Sequence, residues 1–132
     1  MKRMTIMAVV AAGVLAAATA FAELETRTST AGGVTVKVTP KVLSTGAPVW
    51  EFAVVLDTHS QELSDDLVKA AAMVEPGGTR YAPVAWEGAA PGGHHREGVL
   101  RFQPIKPTPS SVELQIQRPK ENTPRVFRWD LK

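Results

Sequence analysis

The chain has 132 residues, no cysteine, three histidines, and 15 Lys and Arg against 13 Asp and Glu. The lack of cysteine excludes a disulfide-stapled scaffold and an acyl anchor on a cysteine at a cleavage site, so stability must come from burial or a bound ion. Two of the cations, Lys2 and Arg3, sit in the leader described next. Without them the two signs balance, which removes the electrostatic argument for nucleic acid or anionic lipid as a partner.

Lys2 and Arg3 followed by the apolar run Ile6 to Ala18 and by Ala20-Phe21-Ala22 have the three-part build of a secretory signal. This predicts a signal peptide over residues 1–22, cleaved after Ala22, and a product in the periplasm or secreted. The apolar run is shorter than the ~20 residues of a membrane-spanning helix. No second such run follows, so no membrane insertion is expected after cleavage. What remains is long enough for one hydrophobic core and too short for two, which predicts one domain over 34–132.

Residues 23–33 are polar and small, with Gly32-Gly33 at their end, and are expected to form a flexible lead-in. Val34, Val36 and Val38 then alternate with Thr35, Lys37 and Thr39, the period of a half-buried strand, until Pro40 interrupts pairing, with a resumption of the strand through Val42 also read. After the turn Ser44-Thr45-Gly46-Ala47-Pro48, a second strand places Trp50, Phe52, Val54 and Leu56 on one face.

The segment 64–73 has two readings. Ser64 can cap a short helix with Asp65 and Asp66 in its first turn, and Leu63 with Val68 as a hydrophobic staple. Alternatively, Ala70 to Glu75 forms a strand that turns at Pro76-Gly77-Gly78 and pairs with Arg80 to Trp86. The second reading is preferred. Pro83 makes the returning strand an edge or a bulged strand.

A Gly-rich connection, Gly88 to Gly98, is expected before a strand at Val99 to Phe102. The proline-studded segment 104–109 fits neither helix nor central strand. Val112, Leu114 and Ile116, and later Phe127, Trp129 and Leu131, mark two final strands. Trp50, Phe52, Trp86, Phe127 and Trp129 all fall at core parity, so buried packing is the simplest reading of the aromatics. About seven short strands separated by turns predict an all-β, immunoglobulin-like antiparallel β-sandwich without the Cys-Trp-Cys hallmark.

The unusual surface feature is Pro91-Gly92-Gly93-His94-His95-Arg96-Glu97-Gly98. Imidazole suits copper and zinc, which an exported protein meets directly. Adjacent histidines on a regular strand point to opposite faces and could not share an ion, an objection that weakens in a glycine-rich loop. His59, His94 and His95 are therefore the candidate metal ligands, with Asp57, Glu87 and Glu97 as oxygen donors. The plainer reading is an exposed loop in which Arg96 pairs with Glu87 or Glu97.

Asp57, His59 and Ser60 are the residue types of a hydrolytic triad, yet neighbours on extended backbone cannot converge. The chain carries no nucleophile elbow, phosphate loop or dinucleotide fingerprint. The expectation is not an enzyme but an exported binding or accessory module for a protein partner in the cell envelope. A periplasmic copper- or zinc-binding protein is the alternative.

The segments Val54-Val55-Leu56-Asp57-Thr58-His59-Ser60, Trp86-Glu87-Gly88, and Pro91 to Phe102 resemble a group of short exported or membrane-tethered bacterial single-domain proteins with no assigned activity. The likeness runs from about Val34 to Leu131. It implies a compact β-sandwich and an export route, and carries over no catalytic or binding residue.

Overall fold

Period-two alternation builds two antiparallel sheets in the computed structural model, which describes residues 24–131; the leader predicted over 1–22 lies outside the described residues. The elements are β1 (Arg27–Ala31), β2 (Val34–Val42), β3 (Trp50–Thr58), α1 (Leu67–Ala70), β4 (Ala71–Val74), β5 (Arg80–Tyr81), β6 (Ala85–Gly88), β7 (His95–Phe102), β8 (Ser111–Ile116) and β9 (Arg125–Asp130). One sheet has the order β1-β2-β3-β7-β6 and the other β5-β4-β8-β9. The protein is an all-β sandwich, with nine strands among the described residues where about seven are expected.

The core is the inward half of each strand. Trp50, Phe52, Val54 and Leu56 of β3 meet Val112, Leu114 and Ile116 of β8 and Phe127 and Trp129 of β9, all within 2 % of complete burial. Phe52 sits at the centre. Its ring centroid is 5.6 Å from that of Phe102, edge to face, and 5.5 Å from that of Trp129. Trp86 departs from the expected pattern, because it is only partly buried and packs against the rim of the core.

Three expectations change. The supposed lead-in contains β1: Gly32 and Gly33, at φ 56° and 78°, turn the chain so that Ala31 lies opposite Val34. Two successive positive φ angles suit the twist of a tight hairpin. The β1 residues opposite the inward Val34, Val36 and Val38 are Ala31, Ser29 and Arg27, which is why its sequence lacks an apolar signature. Arginines close this edge: Arg125 donates to the Ser29 and Ala31 carbonyls at 3.0 and 2.9 Å, and Arg27 Nε to the Arg128 carbonyl at 3.2 Å.

The interruption at Pro40 and the resumption of β2 through Val42 are both present. The strand continues to Val42 across a register shift between the two, and the irregularity absorbs the missing donor.

Both readings of residues 64–73 hold in part. Asp66, not Ser64, caps the helix by accepting from Lys69 N at 3.3 Å, α1 lasts one turn, and β4 follows at once. The staple fails because Leu63 is fully buried while Val68 is exposed.

The hairpin after β4 is also shorter than expected. β4 pairs with Arg80 and Tyr81, after which the chain crosses to the other sheet through Ala82-Pro83-Val84 and pairs as β6 with β7. The crossover places both strands at sheet edges, the only positions a proline nearby permits.

Candidate functional site

β7 begins at His95, so the glycine-rich connection is only residues 89–94. This removes the premise that a loosened loop lets the two histidines converge. His95 lies opposite Asp57 in the β3–β7 ladder, on the outer face of the sheet, and Arg96 turns inward. His94 and His59 are exposed at the strand ends.

Asp57, His95 and Glu97 are brought together. Nδ1 of His95 hydrogen-bonds Oδ1 of Asp57, and Nε2 stands 3.5 Å from Oε2 of Glu97. The hydrogen bond to Asp57 is the main cause that raises the His95 pKa from 6.5, with further help from both carboxylates. Glu87 lies elsewhere, 2.6 Å from Arg101, which also meets Glu51 at 3.2 Å. Among the described residues no three His, Asp or Glu side chains converge as a metal-binding group. The two carboxylates occupy opposite sides of the His95 ring.

Arg96 does not pair with Glu87 or Glu97. At 1 % exposure it is one of the most buried side chains, and its parity explains why: Arg96, Leu100 and Phe102 share the inward face of β7. Its guanidinium donates to the carbonyls of Asp65 at 2.7 Å, Leu63 at 3.3 Å and Ala89 at 3.1 Å, and lies 5.7 Å from the Trp86 ring centre. Burial lowers its pKa.

Beneath the same end of the sandwich, Asp65 is fully buried and accepts from Arg118 Nε and Nη2 at 3.0 and 3.1 Å. Arg118 is linked through Glu121 to Arg125. Arg125 continues to the backbone of β1 and to the Val34 carbonyl at 2.8 Å.

These side chains join three connections. The β3–α1 connection (59–66) and the β6–β7 connection are also laced directly, by Leu63 N to Gly93 O at 3.0 Å and Gly92 N to Leu63 O at 2.8 Å. The β8–β9 connection (117–124) enters through Arg118 and Glu121. The loops therefore gather at one end of the sandwich, with His59, Gln61, Glu62 and His94 exposed on it.

No family model, curated protein or solved structure matches this chain.

Sequence reasoning missed the buried charges, although a signal exists. Asp65 falls in the run Leu63-x-Asp65-x-Leu67, whose three named residues are all buried. Arg118 extends the inward series Val112, Leu114, Ile116, and Arg125 precedes Phe127 and Trp129 at the same parity. A charge at core parity marks a paired, buried group, because an unpaired one is too costly to bury.

The opposite end differs in chemistry. A cavity of about 450 Å³ lies there between the β2–β3 and β7–β8 connections, walled by Trp50, Pro104, Ile105 and Pro107, with Lys106 its only ionisable residue. Its remaining polar side-chain groups are the hydroxyls of Ser44, Thr45 and Thr108, the last two 2.8 Å apart.

Proposed function

We propose that the chain is an exported, non-enzymatic recognition module of the immunoglobulin-like kind, which docks a protein partner in the cell envelope through its gathered loops. The strand order supports the immunoglobulin-like reading. With β1 set aside, β2-β3-β7-β6 facing β5-β4-β8-β9 follows the order A-B-E-D facing C′-C-F-G. In such sandwiches a rigid scaffold presents loops from one end, and binding residues concentrate on loops held this way.

One observation carries the reading: Arg96, Asp65 and Arg118 are buried under the three loops and fix their backbones from below. Buried charge pairs rarely stabilise a fold more than apolar residues would, so their use here favours a role in holding one loop conformation. Loops held in one shape lose less entropy when a partner binds.

The test places a photoactivatable crosslinking side chain at Glu62 and at Asn122 on the loop end, and at Thr45 and Lys106 on the other, in cells exporting the chain. Adducts with the same partner from the first two positions alone are expected. The N-terminus recovered from the envelope fraction should be Glu23. Adducts of equal yield from both ends, or from neither, would defeat the docking assignment.

A further inference from the structure

The end of the sandwich away from the gathered loops holds the cavity of about 450 Å³. Its floor is closed by Trp50 and Ile105, both buried, and its rim carries the exposed Ser44, Thr45, Lys106 and Pro107. Its shape is fixed before anything binds. The Ala47 amide and the Trp50 indole N–H both donate to the Ser44 carbonyl, at 3.2 and 3.1 Å, which holds the β2–β3 connection against the core. The Thr45 and Thr108 hydroxyls, 2.8 Å apart, tie that connection to the β7–β8 connection. Pro104 and Pro107 fix φ in the second wall, so little backbone freedom remains to be lost on binding. Small molecules occupy clefts of roughly 300–1,000 Å³ that are mostly apolar with a few fixed polar groups.

The lining decides the class of molecule that fits. It contains one ammonium group, that of Lys106, and no carboxylate or imidazole. A cation would find no counter-charge there, and a dianion would bring one charge without a partner against the proline rings. A wholly polar molecule would lose water against Pro104, Ile105 and Pro107 and gain too few hydrogen bonds in return. We propose that the cavity binds a small organic monoanion, with its rigid apolar body between Pro104, Ile105 and Pro107 and its carboxylate on Lys106. The Thr45 and Thr108 hydroxyls supply the neighbouring polar contacts. The site lies opposite the docking loops and does not depend on the partner proposed for them.

The experiment titrates the isotope-labelled exported protein with naphthoate and, in parallel, with uncharged naphthylmethanol, which has the same ring system. The amide and indole N–H resonances read both affinity and position. Naphthoate should shift the Trp50 indole N–H and the amides of Thr45, Lys106 and Thr108, and leave Glu62, His94 and Asn122 at the loop end in place. It should bind about 2- to 5-fold more tightly than the alcohol, the worth of one exposed ion pair. Lys106→Gln should remove that preference without weakening the alcohol. Ser44→Phe places a ring at the rim while keeping the carbonyl that holds Trp50, and should abolish binding of both compounds. Ser44 and Lys106 are exposed, so both variants should melt near the parent temperature. Equal affinity for acid and alcohol would overturn the choice of an anion. Binding that survives Ser44→Phe, first shifts at the loop end, or no response at millimolar naphthoate would each overturn the site.

Discussion

Asp65 and Arg118 form a two-pronged ion pair sealed from solvent, with Nε and Nη2 at 3.0 and 3.1 Å from the two carboxylate oxygens and side chains 0 and 4 % exposed. The pair connects residues 53 positions apart in sequence. Asp65→Asn keeps the shape and removes the charge, leaving the buried Arg118 guanidinium with only the Glu121 carboxylate, 3.4 Å away, as counter-ion. A loss of about 3–5 kcal/mol is expected in urea unfolding. Replacing both partners together, as Asp65→Leu with Arg118→Met, should recover most of that loss while freeing the loops. Equal losses for the single and double variants would refute the pairing.

The core makes a second, independent expectation. Trp50 is fully buried, and its indole N–H donates to the Ser44 carbonyl at 3.1 Å. Trp50→Ala opens a cavity too large for its neighbours to fill and should cost about 3–5 kcal/mol. Trp86 is only partly buried, so Trp86→Ala should cost less, about 1–2 kcal/mol, part of it from the lost contact with Arg96. Thermal unfolding of the two variants gives the ranking, and a reversed order would mean that the centre of the core lies elsewhere.

The large apolar strands were legible because alternation is local: β2, β3, β8 and β9 all follow from the parity of Val, Trp, Phe, Leu and Ile. What escaped depends on partners distant in sequence. Thr28 and Thr30 carry no apolar signal, and β1 exists because β2 and the Arg125 guanidinium complete it. His95 and Glu97 look like loop residues beside glycines until β3 is placed alongside, with Asp57 opposite His95 and Val55 opposite Glu97. The crossover at Pro83 splits what reads as one strand between two sheets. As for the candidate site, Asp57, His95 and Glu97 stood among six named residues, of which His59, His94 and Glu87 do not join them, whereas Arg96, Asp65 and Arg118 were hidden by the assumption that charge lies outside.

Gly88 and Gly98 face each other in the β6–β7 ladder with the Trp86 ring across both. A Cβ on Gly98 would fall 2.5 Å from the Glu87 carbonyl oxygen, 2.7 Å from the Gly88 Cα and 2.7 Å from the Trp86 ring. Two of these three neighbours are backbone, so no rotamer change relieves the clash. Gly98→Ala should displace β6 and cost about 1–3 kcal/mol, with faster amide exchange in β6 and β7 than in β8 and β9. Unchanged exchange in β6 would mean that the strands do not approach so closely.

Acid stability should depend on Glu121. Its carboxylate accepts from Arg125 at 2.9 and 2.8 Å and stands 3.4 Å from Arg118, and the Arg125 hydrogen bonds hold its pKa below the ordinary 4.5. The unfolded chain lacks these guanidinium groups, so between the folded and unfolded pKa values it binds more protons than the folded protein. Glu121 therefore contributes stability that is fully present above about pH 4.5 and is lost as pH falls through the lower, folded value. Glu121→Gln should be less stable than the parent at neutral pH, and the gap should close on acidification below the carboxylate range. The midpoint of urea unfolding followed from neutral to acid pH provides the measurement. Parallel curves for the two proteins would show that Arg118 and Arg125 do not depend on the Glu121 charge.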